Sequence, residues 1–308
     1  MKWQSFKIGF AAFLHFEKSH QPNTIEAYLH DFDILADFFN SHHSSLGFSD
    51  IEPAHITEFV HHISSRGLSN KSLARIVSGV RAFFRYLIME DIIKENPAEL
   101  LERPRLPVKL PEHLSLEEID RIVAVIDLSN PLGNRNRAII ETLYGAGLRV
   151  SELTDLHLSN LNFKEDYFII TGKGNKQRLV PMGSVAKKCL LQYIEHDRPA
   201  IEIKKSHEDY VFLNKHGAKL TREMIFVIVK TLSKTAGISK KVSPHVFRHS
   251  FATHLVQAGA DLRVVQELLG HESITTTEIY THLDRSYLLE TLISYHPRSK
   301  AKKSIFPH

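Results

Sequence analysis

Two guanidiniums, one ammonium, two imidazoles and a phenol stand in the second half of this 308-residue chain, at Arg149, Lys173, His245, Arg248, His271 and Tyr280. The set contains neither a carboxylate pair nor a metal cage. Such groups suit holding a phosphodiester by its oxygens while a tyrosine oxygen attacks phosphorus. Cations and proton carriers around the phenol stabilise the extra negative charge of a pentacoordinate phosphorane. They also favour the phenolate against an ordinary tyrosine pKa of about 10. A covalent phosphotyrosine conserves the bond energy, so resealing needs neither ATP nor a metal. Consistent with that, the sequence carries no Walker loop, no clustered Asp/Glu motif and no zinc spacing. The predicted chemistry is the cutting and rejoining of a DNA backbone, with no cofactor and no metal.

Each residue also has a plainer reading. Arg149 follows Gly145-Ala146-Gly147, a segment able to end one helix and begin another at a sharp angle. There its planar fork faces a phosphate, or it pairs with Glu152 three residues on, and both hold if Glu152 orients the guanidinium. Lys173 sits between glycines in GKG, as a proton donor to a departing alkoxide or as a solvated turn lysine. Lys176 and Arg178 are nearby alternatives. Ser243 and Pro244 mark a helix start, which sets His245 and Arg248 on one face of its first turn, with Phe247, Phe251 and Leu255 buried. His271 follows Gly270, a predicted helix-ending glycine. Thr275 and Glu278 have capping-box spacing ahead of Tyr280.

These residues need a scaffold. The spacing predicts helices near 134–144, 149–158, 184–196, 221–236, 244–258, 261–269 and 276–292, after one starting at Ser115 and capped by Glu118. DYFIITGKGNKQRLVPM instead alternates as a β-hairpin with Lys173 in its turn. Residues up to about 100 read as helices only, four or so forming a small bundle. In SLARIVSGVRAFFRYLIME, an apolar stripe runs through Leu73, Ile76, Val77, Val80, Phe83, Phe84 and Leu87. Prolines 97, 104, 107 and 111 mark a linker, which divides the chain into 1–106 and 107–308. The fold expected is mainly α: an N-terminal helical bundle and a mostly helical C-terminal domain with a small antiparallel sheet.

Composition allows two soluble domains, with 43% hydrophobic residues, 24% charged and a net charge of +4. Charge is uneven: between Glu58 and Glu90 no acidic residue occurs, while Arg66, Lys71, Arg75, Arg81 and Arg85 do. That stretch is a phosphate-facing surface or a solvated helix face. Cys189 is the only cysteine, which predicts a reducing compartment. The opening MKWQSFKIGFAAFLHFEK reads as an amphipathic helix rather than a signal peptide, because its apolar run is short and ends at His15 with no small-residue cleavage site after it. No segment approaches a membrane span, so a cytoplasmic location is expected. The scattered histidines, including His42, His43, His61 and His62, read as surface or packing residues.

Taken together, GAGLRVSEL, TGKGNKQRLVP, SPHVFRHSFATHL and LLGHESITTTEIYTH resemble the tyrosine recombinases of the phage-integrase family, Xer type. NTIEAYLHDF and YHPRSK extend the resemblance over nearly the whole chain, and FLNKHGAKLTR and HSFATHLVQAGADLRVVQELLGH lean to the XerD branch rather than XerC. The departures are Phe247 where leucine is common and Glu278 where glutamine is common. The resemblance implies a SAM-like, core-binding N-terminal bundle and a C-terminal catalytic domain. It makes Tyr280 the nucleophile of a 3′-phosphotyrosyl bond and gives Arg149 and Arg248 to the scissile phosphate. Lys173 becomes the general acid, with His245 and His271 assisting. It further implies a double-stranded recombination site and a second Xer-type recombinase in a cyclic heterotetramer, or a homotetramer. A septal DNA translocase and a C-terminal segment, about 284 to 300, docked on the neighbouring protomer are implied by it as well. The expected role is resolving chromosome dimers at a dif-like site; the alternatives are a mobile-element integrase or a catalytically silent DNA-binding regulator.

Overall fold

The computed structural model describes residues 3–16, 22–101, 112–172, 177–270 and 282–300. The chain divides into two units, Met1–Lys109 and Leu110–His308. The boundary expected at residue 107 lies outside the described residues.

Among its described residues the first unit is built from α1 (Trp3–Phe16), α2 (Pro22–His42), α3 (Pro53–Ser64) and α4 (Asn70–Met89). The predicted stripe of α4 is buried along its whole length. Ser69 caps that helix, its side chain accepting from the Ser72 amide. Aromatic rings fill the centre. Trp3, Phe10, Phe32, Phe39, Phe59 and Phe83 are almost wholly buried, with Phe32 and Phe83 ring centroids 4.8 Å apart in an edge contact. Each such ring contributes roughly 1.5–3 kcal/mol by leaving water.

The basic run of this unit has two destinations. Arg66 and Lys71 are exposed, and Arg85 is exposed with Glu99 3.9 Å away. Arg75 turns inward, donating to the Ala27 carbonyl and, at 2.6 Å, to the buried carboxylate of Asp31. Arg81 donates to the carbonyls of Ala98, Glu99 and Leu101, tying α4 to the segment after it. The sequence reading of all five as one phosphate-facing surface is therefore corrected for these two guanidiniums, whose bonds are internal.

Burial pushes the Asp31 carboxyl up to about 6 even with Arg75 beside it. An acid raised above its ordinary value of 3.8 stabilises the fold most below that value, and the contribution is lost as pH rises through 6. Removing Arg75 moves the loss towards neutral pH. Arg75→Ala is therefore expected to match the wild type near pH 4 and to fall below it by about 2 kcal/mol at pH 8, with solvent screening of this half-exposed arginine moderating the cost. Trp3 is the only tryptophan in the chain, so its fluorescence during urea unfolding reports this unit. Equal midpoints at pH 8 would contradict the account.

The second unit, among its described residues, is mainly helical around a small sheet: α5 (Leu116–Ala124), α6 (Gly133–Gly145), α7 (Val150–Thr154), β1 (Leu161–Asn162), β2 (Tyr167–Thr171), β3 (Gln177–Pro181), α8 (Ser184–Gln192), α9 (Arg222–Thr235), α10 (Pro244–Gln257), α11 (Leu262–Leu269), α12 (His282–Tyr295) and α13 (Pro297–Lys300). The strands are antiparallel in the order β1-β2-β3, with Ile170 opposite Arg178 and Thr171 opposite Gln177. Helix α6 lies at the centre, with Leu143 and Tyr144 wholly buried, and packs against α8 and α10. Ser115 and Glu118 form the predicted capping box of α5. Several elements differ from expectation, the unforeseen α13 among them. Strand β1 is too short to show a period, α7 stops at Thr154, and α8 passes at Tyr193 into one π turn ending at Asp197. No helix among the described residues is long and apolar enough to cross a membrane.

Candidate active site

The turn after α6 delivers Arg149. Gly147 has φ +60° there, and a Cβ would stand 2.6 Å from Phe251 Cδ1, so both conformation and space require glycine. Arg149 is the N-cap residue of α7, and its backbone amide donates to Glu152 Oε2 at 2.7 Å. Its guanidinium donates from Nη1 to Glu152 Oε1 at 2.8 Å and from Nη2 to the Gly270 carbonyl at 3.1 Å. The two readings of Arg149 thus merge: the ion pair with Glu152 aims the fork, while the side chain stays 38% exposed and open to a ligand.

Arg248 comes from α10, one turn past its start. Nη1 donates to the Gly147 carbonyl at 2.6 Å and Nη2 to the Leu269 carbonyl. Its Nη1 also lies 3.8 Å from Glu152 Oε2. Arg149 and Arg248 therefore converge on one carboxylate and on two successive carbonyls at the end of α11. Each guanidinium has more N–H groups than these bonds use. His245 is exposed, three residues before Arg248 and on the same face of α10. Ser243 is the N-cap residue there, although its side chain makes no capping bond.

A third arginine completes the cluster. Arg178 of β3 donates from Nη1 and Nη2 to Glu152 Oε1 and Oε2, at 2.8 and 3.1 Å. The alternative role of Arg178 as the proton donor is thereby corrected, because both of its Nη groups are already donated to Glu152 and its side chain is buried. Burial alone would raise the Glu152 carboxyl, but the bonds and charges of Arg178 and Arg149 hold it below the usual carboxylate range. Burial lowers the Arg248 guanidinium to about 10, with the charges of Arg149 and Arg178 acting the same way and Glu152 opposing them. Three guanidiniums against one carboxylate make the cluster net cationic, with Arg178, Arg248 and Glu152 buried and Arg149 at its open edge. That is the complement of a phosphorane's non-bridging oxygens.

Lys173 belongs to the connection between β2 and β3, His271 follows the αL residue Gly270, and Tyr280 precedes α12 by two residues. All three lie outside the described residues. The structure thus brings Arg149 and Arg248 together and places His245 on the same helix face as Arg248. Sequence reasoning gave Glu152 only as an orienting partner and missed Arg178 as its second clamp.

Known proteins share these features. Residues 112–286 match the phage integrase family, and residues 8–91 match the N-terminal SAM-like domain of phage integrases. Tyrosine recombinase XerD of Oceanobacillus iheyensis is 40% identical over 290 residues, covering 94% of this chain and 97% of that protein. XerD of Staphylococcus aureus is 40% identical over 288 residues, covering 93% and 97%. A solved structure of the XerH site-specific recombinase bound to palindromic difH substrate, a post-cleavage complex, is similar at a TM-score of 0.70 and 27% identity, over 87% of this chain and 79% of that one. The Tn1549 transposon integrase in complex with circular-intermediate DNA shares the fold at a TM-score of 0.69 and 20% identity, over 90% and 96%.

Proposed function

The chain belongs to the phage integrase family, as an XerD-like, site-specific tyrosine recombinase, and on that premise we propose that it cuts and rejoins double-stranded DNA through Tyr280. Tyr280 Oη attacks the scissile phosphorus in line, its phenolic proton passing to the imidazole of His245 or His271, and the bond from phosphorus to O5′ breaks. Lys173 gives the departing O5′ its proton, while His245 and His271 assist proton transfer and phosphate binding. Arg149 and Arg248 hold the non-bridging oxygens. The product is a 3′-phosphotyrosyl ester and a free 5′ hydroxyl. Attack by the 5′ hydroxyl of the exchanged strand reverses the chemistry without a net change in bond type. The observation that carries this reading is the convergence of Arg149 and Arg248 on Glu152 and on the carbonyls of Leu269 and Gly270.

The proposed setting is a dif-like site in the cytoplasm, where a ring of four protomers, with a second Xer-type recombinase or with copies of this chain, resolves chromosome dimers under a septal translocase. The proposed domains are residues 1–106 for core binding and 107–308 for catalysis. The test is a duplex nicked close to the cleavage position, which loses a short fragment on cleavage and traps the adduct. Mass spectrometry of the digested complex is expected to place the nucleotide on Tyr280. Failure to trap any adduct would support the silent regulator. Trapping at the ends of a mobile element, and not at a dif-like site, would support the integrase.

The basic residues of the first unit are proposed to supply non-specific affinity. Arg66, Lys71 and Arg85 face solvent, whereas Arg75 and Arg81 have internal partners. Replacing Arg66 or Lys71 by glutamine is expected to reduce the slope of log affinity against log salt by up to about one for each phosphate no longer neutralised. Unchanged slopes for both would remove this face from the DNA-binding surface.

A further inference from the structure

We propose that Arg178 is a positioning residue of strand cleavage, acting through Glu152 on Arg149 and Arg248; this rests on the recombinase reading and deepens it. Arg178 itself is poorly placed to touch DNA, since its side chain is only 9% exposed and both Nη groups are spent on Glu152. What it controls is the carboxylate. Oε1 of Glu152 also receives Arg149 Nη1, and Oε2 receives the Arg149 amide and faces Arg248. Arg178 thus clamps the group that aims Arg149 and faces Arg248.

A second contact points the same way. A Cβ at Gly270 would stand 2.8 to 3.0 Å from Nε, Cδ and Cζ of Arg178. The guanidinium therefore lies against the Gly270 backbone, whose carbonyl receives Arg149. One side chain backs both supports of the Arg149 fork. Lysine cannot replace it, because an ammonium is a point charge without two parallel N–H groups.

The plain alternative is that Arg178 only ties β3 to α7. Single-turnover cleavage of the nicked duplex separates the two when run with the natural O5′ and with sulfur in its place. A thiolate departs without a proton donor, so the sulfur substrate reports phosphate activation alone. Arg178→Lys is expected to cleave both substrates about 10²-fold more slowly, by the same factor, with DNA affinity within about threefold. Lys173→Ala, in contrast, is expected to be slow on oxygen and restored on sulfur. Recovery of Arg178→Lys on sulfur would overturn the proposal, as would an unchanged rate or a loss matched by the unfolded fraction in circular dichroism. Should the lysine variant not fold, Arg178→Met combined with Glu152→Gln removes both charges at similar volume. That pair is expected to be no slower than Glu152→Gln alone, and additive losses would overturn the proposal. If the unaltered protein traps no adduct on either substrate, the recombinase reading itself falls, a result distinct from normal wild-type cleavage with an indifferent Arg178.

Discussion

Glu152→Gln is expected to slow single-turnover strand cleavage by about 10²-fold and to lower the unfolding midpoint of the second unit by roughly 6–12 °C. Glutamine keeps the size but removes the one negative charge among Arg149, Arg178 and Arg248. Arg178 and Arg248 have side chains only 9% and 10% exposed, and breaking a buried ion pair leaves an uncompensated charge at a cost of about 3 kcal/mol. The Glu152 carboxyl is held below its ordinary value of 4.5. Its contribution is therefore fully present above that value and is lost as pH falls through the folded one. The gap between wild type and variant should be complete at pH 7 and shrink below about pH 4.5. DNA affinity should not fall, because the variant site is more positive by one charge. The defect then belongs to the chemical step, not to binding. Cleavage at the wild-type rate, or a stability gap still undiminished at pH 3, would refute the assignment.

Much of this arrangement is legible in the order of residues alone. The stripe from Leu73 to Leu87 shows its buried face by periodicity, and Ser115 with Glu118 announces the start of α5. The pairing of Arg149 with Glu152 is a local matter of three residues, within reach of helix geometry. What stays hidden is long-range. Asp31 precedes Arg75 by 44 positions and Arg178 follows Glu152 by 26, and no spacing rule joins such pairs. A charge run tells that five cations are near one another; where each guanidinium ends depends on which buried acceptor the tertiary fold sets beside it. Arg178 is the harder case, since beside Lys173 and Lys176 it looks like one more basic residue at a hairpin turn. Its role emerges only from its place on β3 facing α7.

The C-terminal segment supplies the other large effect. The resemblance implies that the segment from about 284 to 300 docks on a neighbouring protomer; within this chain several of its residues pack on their own unit. Leu288, Leu292, Thr291, His296 and Arg298 are all buried there. Arg298 donates from Nε to Glu141 Oε2 at 3.0 Å and from Nη1 to Asp120 Oδ1 at 2.5 Å. Burial raises the Glu141 carboxyl above its ordinary value although Arg298 pulls it down. Arg298→Met keeps volume and leaves Glu141 without its hydrogen-bonded partner, with only the charge of Arg137 still acting on it, at a cost of about 3 kcal/mol at pH 8.

The pH dependence of that cost has a definite sign. A raised acid gives its stability below its unfolded value and loses it as pH rises. Without Arg298 the folded value of Glu141 climbs further, so the penalty is largest at pH 8 and smaller near pH 5. His296 acts in the opposite direction in both proteins. Burial, with Arg298 beside it, lowers it to about 3 from 6.5, so its contribution is complete above 6.5 and lost as pH falls from there towards 3. Hydrogen exchange in α12 is the direct measurement, and the variant should open this helix at pH 8 while the core of α6 stays protected. Because α12 begins two residues after Tyr280, the proposed nucleophile, such opening is also expected to slow cleavage. Equal exchange in α12 for the two proteins at pH 8 would show that apolar contacts, not the Arg298 ion pairs, hold the C-terminal helices in place.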